Sequence, residues 1–305
     1  MLPIPEYFLY FCILFYELLI NFKLMKVIKN IQRLKEILDA VKASGKKTGF
    51  VPTMGALHAG HISLVERSVS ENDYTIVSVF VNPTQFNNKQ DLQKYPRDLE
   101  KDASMLQHAG VDLIFAPEIA DMYDDDELNN TFQFDFAGLD TVMEGAFRPG
   151  HFNGVVQVVS KLFTCVKPDR AYFGEKDFQQ LAIIHHMNKT LNFNVEIVDC
   201  PIVREPSGLA MSSRNERLSA HQRNIAAGIS KVLFESLNFV PGLSPEELKL
   251  KVELEIGKID GLRLEYYEIA NATTLQTAQN WDEPTVGCIA VFCGEVRLID
   301  NIRCS

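Results

Sequence analysis

The sequence predicts an α/β protein, a doubly wound parallel sheet followed by a smaller α+β C-terminal domain. Three observations carry this. Strand-like and helix-like segments alternate with short connections from residue 48 to about residue 117, the pattern of a parallel sheet covered on both faces. A pair of histidines and two glycines stand where one such strand runs into a helix, in "VPTMGALHAGH", the kind of crevice in which open α/β sheets bind ligands. From Glu216 onward the alternation gives way to two helices and then three strand patterns.

Taken in order, Asn30 can cap a helix whose apolar residues Ile31, Leu34, Ile37, Leu38 and Val41 recur at helical spacing, and "SGKK" ends it. "TGFVPT" reads as a buried strand. A helix from His61 to about Ser70, a strand in "TIVSVFV", a helix from about Asp98 to His108 and a strand in "VDLIFAP" follow. The acidic stretch 121–130, "DMYDDDELNN", reads as a solvated surface loop. Further strand and helix signals lie in "GVVQVVSKLFTCV", "RAYFG", "FQQLAIIHHMNKT" and "NVEIVDCPIV". A helix from Glu216 to about Leu237, a break at "VPGLS" and a helix from Ser244, with a capping box through Glu247, come next. "LRLEYYEIA", "TVGCIAVFC" and "VRLI" complete the chain as strands. The division expected is a first domain over residues 25–203 and a smaller one over residues 204–305.

The 305 residues are 46% hydrophobic and 23% charged, an ordinary globular balance. Against 30 Lys and Arg stand 40 Asp and Glu, a net charge of −10, which repels a polyphosphate backbone and argues against a nucleic-acid partner. Six cysteines are scattered without a CxxC pair or a zinc-ligand spacing, as expected of reduced thiols in a cytoplasmic protein. Residues 1–24 depart from this picture. "YFLYFCILFYELLI" is densely apolar but interrupted by Glu17 and short of the ~20 residues a membrane span needs. The expectation is an extension ahead of a start at Met25, with an anchor or a partner-binding segment as the alternatives and no membrane partner favoured.

Four segments can carry chemistry. At the strand-to-helix turn, His58, Gly60 and His61 offer imidazole donors beside free helix N–H groups, a setting suited to phosphate oxygens; ordinary histidines at a helix start are the plain alternative. In "YFGEKDFQQL", Lys176 and Asp177 follow the flexible Gly174 and precede Gln179 and Gln180; lysine holds phosphate as a point charge and glutamine a hydroxyl or carboxylate. A surface turn would look much the same. "GLAMSSRN" places Ser212, Ser213 and Arg214 in a small-residue loop, able to close over a triphosphate or simply to cap the next helix. "FVNPTQF" and "FRPGHFNG" add Asn82, Gln85 and Arg148 as candidate contacts for a small carboxylate, or as proline turns.

Together, "VPTMGALHAGH", "VNPTQF", "YPRDLEKD", "RPGHFNGV", "YFGEKDFQQL", "GLAMSSRN" and "RLIDN" resemble, in family order, the pantothenate synthetases (pantoate-beta-alanine ligases), a Rossmann-like family of the HIGH-type nucleotidyltransferase superfamily. The resemblance runs from about Met25 to about Arg303. It implies condensation of (R)-pantoate with β-alanine through a pantoyl adenylate, with release of pyrophosphate and AMP. It further implies magnesium travelling with ATP, with no protein ligand named for it, and a homodimer through the N-terminal domain. Position by position, it assigns ATP to Met54, Gly55, Ala56, Leu57, His58, Ala59, Gly60 and His61, with His61 as the catalytic proton donor. ATP contacts also fall on Gly174, Glu175, Lys176, Asp177, the backbone at Val203, and Met211, Ser212, Ser213 and Arg214. Gln85 and Gln180 are assigned to pantoate, Gln85 also to β-alanine, and Asn82 and Arg148 less firmly to the substrate side.

The chain departs from the family at His185 and His186, where a basic pair is usual, which suggests a pH-dependent charge near the site. It also lacks a proline after Tyr123. A nucleotidyltransferase acting on a phosphate acceptor would share the histidine motif but have no use for Gln85 and Gln180. A tRNA synthetase fits the acidic charge and the length poorly. A non-catalytic nucleotide-binding protein would not need His61, Lys176 and Arg214, and all three are present.

Overall fold

In the computed structural model the chain is described over residues 25–86, 92–93 and 95–305; residues 1–24, with the extension expected there, lie outside the described residues. β1 (Lys26–Ile28) leads into α1 (Ile31–Ala43), whose first turn is closed by the Asn30 side chain accepting from the Arg33 N–H. β2 (Thr48–Thr53), α2 (Ala59–Glu71), β3 (Tyr74–Val79), α3 (Leu99–His108) and β4 (Leu113–Phe115) follow. α4 (Ile119–Met122), α5 (Asp125–Asn129) and α6 (Met143–Phe147) then precede α7 (His151–Val166), β5 (Arg170–Gly174), α8 (Phe178–Thr190) and β6 (Glu196–Cys200).

The six strands are parallel in the order β1-β4-β3-β2-β5-β6. Their side chains alternate between two cores, as a sheet covered on both faces requires. Phe50, Ile76, Leu113, Phe115 and Phe173 join Leu34 and Leu38 of α1 and the apolar face of α7. Val51, Val77, Ile114 and Tyr172 face Val65 of α2 and Leu106 of α3. The chain leaves β2 toward β3 and β4 on one side and reaches β5 and β6 on the other, so the order reverses between β2 and β5. That switch opens a crevice at the strands' C-terminal ends.

Beyond residue 203 lie α9 (Ala220–Ser236) and α10 (Pro245–Gly257), then β7 (Leu262–Asn271), β8 (Thr285–Cys293) and β9 (Val296–Arg303) in an antiparallel sheet ordered β7-β8-β9. Leu248, Val252 and Ile256 recur every fourth residue of α10 and are buried with Leu233 of α9 against Tyr267, Ile289 and Val291. Each such aliphatic side chain contributes ~1.5–3 kcal/mol by burial. Met143 and Phe178 pack with Tyr266, Val286 and Cys288, so part of this sheet lies against the parallel-sheet unit.

Several local expectations need correction. The acidic stretch 121–130 is not a plain loop: α4 and α5 occupy it, each opened by a capping box, Glu118 with Asp121 and Asp124 with Glu127. Carboxylates that read as a solvated run are closing helix N–H groups, and Glu127 also pairs with Lys161 at 2.5 Å. α2 begins at Ala59 rather than His61 because His58 caps it. Residues 213–217 form a 3₁₀ turn, and α9 starts only after Ser219, whose capping box with Gln222 is the actual helix signal. β9 runs on to Arg303, past the expected "VRLI". Among the described residues no helix is long and apolar enough to cross a membrane, and Cys165, Cys200, Cys288, Cys293 and Cys304 are free thiols.

Candidate active site

The turn between β2 and α2 is held from behind. Gly55 and Ala56 take left-handed backbone angles, φ +79° and +51°, and the buried Asp102 carboxylate accepts from the Ala56 N–H at 3.0 Å and the Leu57 N–H at 2.8 Å. A side chain at Gly55 would meet that carboxylate at 2.8 Å. The turn therefore delivers His58 to the N-cap of α2 in an extended conformation.

Both histidines are fixed by the helix they start. The Gly60 N–H donates to His58 Nδ1 at 3.1 Å, and the His58 N–H donates to His61 Nδ1 at 3.4 Å, a capping box built from imidazoles. Because Nδ1 accepts in each ring, the neutral form carries its proton on Nε2. Burial and the nearby Lys176 push the His58 pKa down to about 4. Burial and the His58 ring, 4.0 Å away between centroids, push His61 to about 3. At neutral pH, then, two uncharged imidazoles offer Nε2–H donors. The resemblance makes His61 a proton donor; in the ring as it stands, Nδ1 accepts and Nε2–H is the available donor. A Cβ at residue 60 would lie 2.8 Å from His58 Cε1, so glycine is what lets the two rings sit together.

A cleft with about 190 Å³ of enclosed space opens over this turn, lined by Met54, His58, Gly60, His61, Gly174, Lys176, Asp177, Gln180, Val203, Met211, Ser212, Ser213 and Arg214. The sequence-predicted residues of three separate segments thus meet at the switch point. Ser213 Oγ donates to the Ala56 carbonyl at 3.0 Å, tying the 211–214 loop to the histidine turn. Leu57 is buried behind the turn, Ala59 is exposed on α2, and Glu175 turns away to pair with Arg303 at 2.9 Å. Anything these three give a ligand comes from their backbone.

The substrate-side candidates divide. Gln85 sits beside the cleft, its Nε2 2.8 Å from Met54 Sδ and its Oε1 accepting from Asn82 Nδ2 at 3.1 Å. Asn82 is 1% exposed. Its amide also donates to the Gly154 carbonyl and accepts from Tyr123 Oη and Thr84, so its side chain is tied to Gln85 and to the turn around it. Arg148 lines a second, small cavity of about 30 Å³ that shares Lys176, Asp177 and Gln180 with the cleft. There it meets the buried Glu144 carboxylate at 3.4 Å. His185 and His186 lie on α8 against Asp199 and the Asp135 carbonyl, and neither lines the cleft, so the expected placement of this pair near the site does not hold.

Sequence reading misses four residues. Tyr95 lines the cleft beside Ser213 and Arg214, and Asp102 props the turn; both lie in "YPRDLEKD", where spacing alone assigns neither a role. His151 donates from Nδ1 to the Gln85 carbonyl at 2.8 Å. Burial and Arg148 lower its pKa to about 4. Asn301, from the far end of the chain, reaches the carbonyls of Glu175 and Lys176.

The three depressed histidines make stability pH dependent. Each folded value lies below the ordinary 6.5, so the unfolded chain takes up protons first as pH falls. Their contribution is complete above pH 6.5 and is lost as pH falls toward 4 and then 3. Urea midpoints measured between pH 7 and 4.5 are expected to decline steadily below 6.5; a flat profile across that interval would show that these imidazoles are not held neutral by the fold.

Known proteins match the chain along nearly all of its described length. The family model described as pantoate-beta-alanine ligase matches residues 26–303. A pantothenate synthetase of Bacteroides fragilis is 59% identical over 281 residues, 92% of this chain and 99% of that protein; one from Porphyromonas gingivalis is 49% identical over the same shares. The crystal structure of pantothenate synthetase from Thermus thermophilus superposes with a TM-score of 0.85 at 42% identity, covering 92% of this chain and 99% of that one. A Francisella tularensis pantoate-beta-alanine ligase, complexed with beta-gamma ATP and beta-alanine, reaches 0.76 at 39% identity, covering 92% and 98%. With the match spanning both sheets and all three segments that meet at the cleft, the chain belongs to the pantoate-beta-alanine ligase family.

Proposed function

We propose that this cleft condenses (R)-pantoate with β-alanine in an ATP-dependent reaction, by way of pantoyl adenylate. The observation that carries the reading is the convergence at the switch point of two neutral Nε2–H donors, the Lys176 ammonium and the Ser212–Arg214 loop. In the first half-reaction a pantoate carboxylate oxygen bonds to the α-phosphorus as the bond to the β-phosphate oxygen breaks, and pyrophosphate departs. That step needs alignment and neutralisation of oxygen charge rather than a protein nucleophile. His58 and His61 donate to phosphate oxygens, Lys176 and Arg214 balance charge on the departing pyrophosphate, and the backbone of residues 54–61, 174–177, 203 and 211–212 encloses the nucleotide. In the second half-reaction the amine of β-alanine attacks the acyl carbon and AMP leaves.

Gln85 and Gln180 hold pantoate, and Gln85 also meets β-alanine. Asn82 supports Gln85, and Arg148 adds positive charge from the adjoining cavity. Among the described residues Asp177 is the one carboxylate lining the cleft, and no cluster of three or more His, Cys, Asp or Glu among them could hold a metal ion. The donors present fit a magnesium ion that would arrive on the triphosphate, with Asp177 as the carboxylate at hand, and would supply charge neutralisation there. The reading includes a homodimer, cytoplasmic location and a division of the chain at residues 203/204.

The test is release of pyrophosphate and AMP from magnesium-ATP. Pyrophosphate release that requires pantoate, with sustained AMP production only once β-alanine is added, supports both half-reactions. A folded, ATP-binding protein that yields neither product with pantoate overturns the substrate assignment.

A further inference from the structure

We propose that Asn301, on β9 of the C-terminal sheet, is a positioning residue for Lys176, so that this sheet builds part of the phosphate-side site instead of only covering it. The inference rests on the role given to Lys176 above. Lys176 stands in the 3₁₀ turn Glu175–Asp177 between β5 and α8, and its ammonium lies 3.3 Å from the Asp177 carboxylate at the edge of the cleft. Such a short turn leaves backbone carbonyls without partners of their own. The Asn301 amide supplies them, Nδ2 donating to the Glu175 carbonyl at 2.8 Å and to the Lys176 carbonyl at 2.9 Å. Only the NH₂ end of the amide can face two carbonyl oxygens, which fixes its orientation.

The clamp is itself held rigidly. Asn301 is 5% exposed, and so is Asp300, which accepts two hydrogen bonds from Arg204 at 2.6 and 3.0 Å and one from the Asn301 N–H at 2.8 Å. Two residues along, Arg303 donates to the Glu175 carboxylate at 2.9 Å. One strand from the end of the chain therefore grips the lysine turn through both its backbone and its side chain. A displacement near 1 Å at a catalytic cation costs ~10²-fold in rate, so losing the clamp acts on chemistry through Lys176.

A double-mutant cycle on pantoate-dependent pyrophosphate release tests this, using the full chain with circular dichroism as the check of folding. Asn301→Ala is expected to slow release ~10-fold or more, and to slow it by no more than about 2-fold when Lys176 is already alanine, because coupled residues are not additive. If the two losses multiply, Asn301 acts apart from Lys176 and the proposal fails while the reading of the site stands. If Lys176→Ala alone leaves the rate unchanged, the role of Lys176 and this inference fall together. Should Asn301→Ala not fold, Asn301→Ser, which keeps one donor, enters the same cycle: a loss that disappears in the Lys176→Ala background supports the clamp, and one that multiplies overturns it.

Discussion

Pyrophosphate release by His61→Ala is expected to fall ~10²-fold or more, the scale on which removal of one preorganised donor at a developing oxyanion acts, while the protein stays folded. The structural loss is small by comparison. His61 closes one side of the α2 capping box through a long 3.4 Å contact, and a helix cap is worth ~1 kcal/mol. Helix propensity favours alanine at that position. The chemical loss is an Nε2–H donor held by burial in its neutral form, and this suggests the informative companion. His61→Gln places an amide donor at similar reach without a titrating group, so it is expected to recover part of the rate, whereas a mechanism needing an imidazolium proton gains nothing from it. With His58 at about 4 and His61 at about 3, neither changes charge between pH 5 and 8. The rate in that range should therefore show no step from these two rings. Near-normal release by folded His61→Ala would remove the residue from the mechanism.

How much of this site is legible in the sequence follows from the range of the interactions. The alternating strands and helices, the His58 to His61 turn and the loops of Lys176 and Arg214 are local patterns, and strands such as Thr48–Thr53 and Arg170–Gly174 fall where their apolar runs end. The helical nature of residues 119–129 escapes a sequence reading because an acidic residue that caps a helix and one that faces water look alike until the N–H groups are in place. Asn82 shows the same limit. An amide near a glutamine reads as a ligand, and its burial and its four partners come into view only in the fold. Asp102, His151 and Asn301 act on backbone atoms of residues far away in the chain, and no periodicity in one sequence encodes such a pairing. The depressed pKa values of His58 and His61 are likewise products of burial and of Lys176, more than a hundred positions downstream.

The least legible residue carries the second large effect. Glu144, in an unremarked turn before Arg148, accepts from Arg297 through both oxygens at 2.6 and 2.9 Å and from Tyr266 Oη at 2.9 Å, partners from β9 and β7. Arg148 approaches the same carboxylate at 3.4 Å. Burial alone would raise its pKa; the Arg297 hydrogen bonds and charge outweigh that and hold it down at about 2. Glu144→Ala removes the buried carboxylate that Arg297 and the half-buried Arg148 share, and although Arg297 keeps Glu265, breaking a buried ion pair from one side costs about 3–5 kcal/mol. The pKa leads to the same place, since holding a carboxyl at about 2 against its ordinary 4.5 is worth about 3 kcal/mol of folding stability at neutral pH. Glu144→Gln keeps the shape and part of the hydrogen bonding, and Arg297 retains Glu265, so a smaller loss of about 1–3 kcal/mol is expected. The pH dependence separates this carboxylate from the histidines. A depressed carboxyl contributes above pH 4.5 and loses its contribution as pH falls toward 2, below most of the interval in which the imidazoles titrate. Urea unfolding of Glu144→Ala should therefore show a lower midpoint at pH 7 and a shallower decline below pH 4.5 than the parent. If the two proteins differ by the same amount at pH 7 and at pH 2.5, the cost of the substitution is lost packing, and Glu144 is not an ionic tie between α6 and the C-terminal sheet.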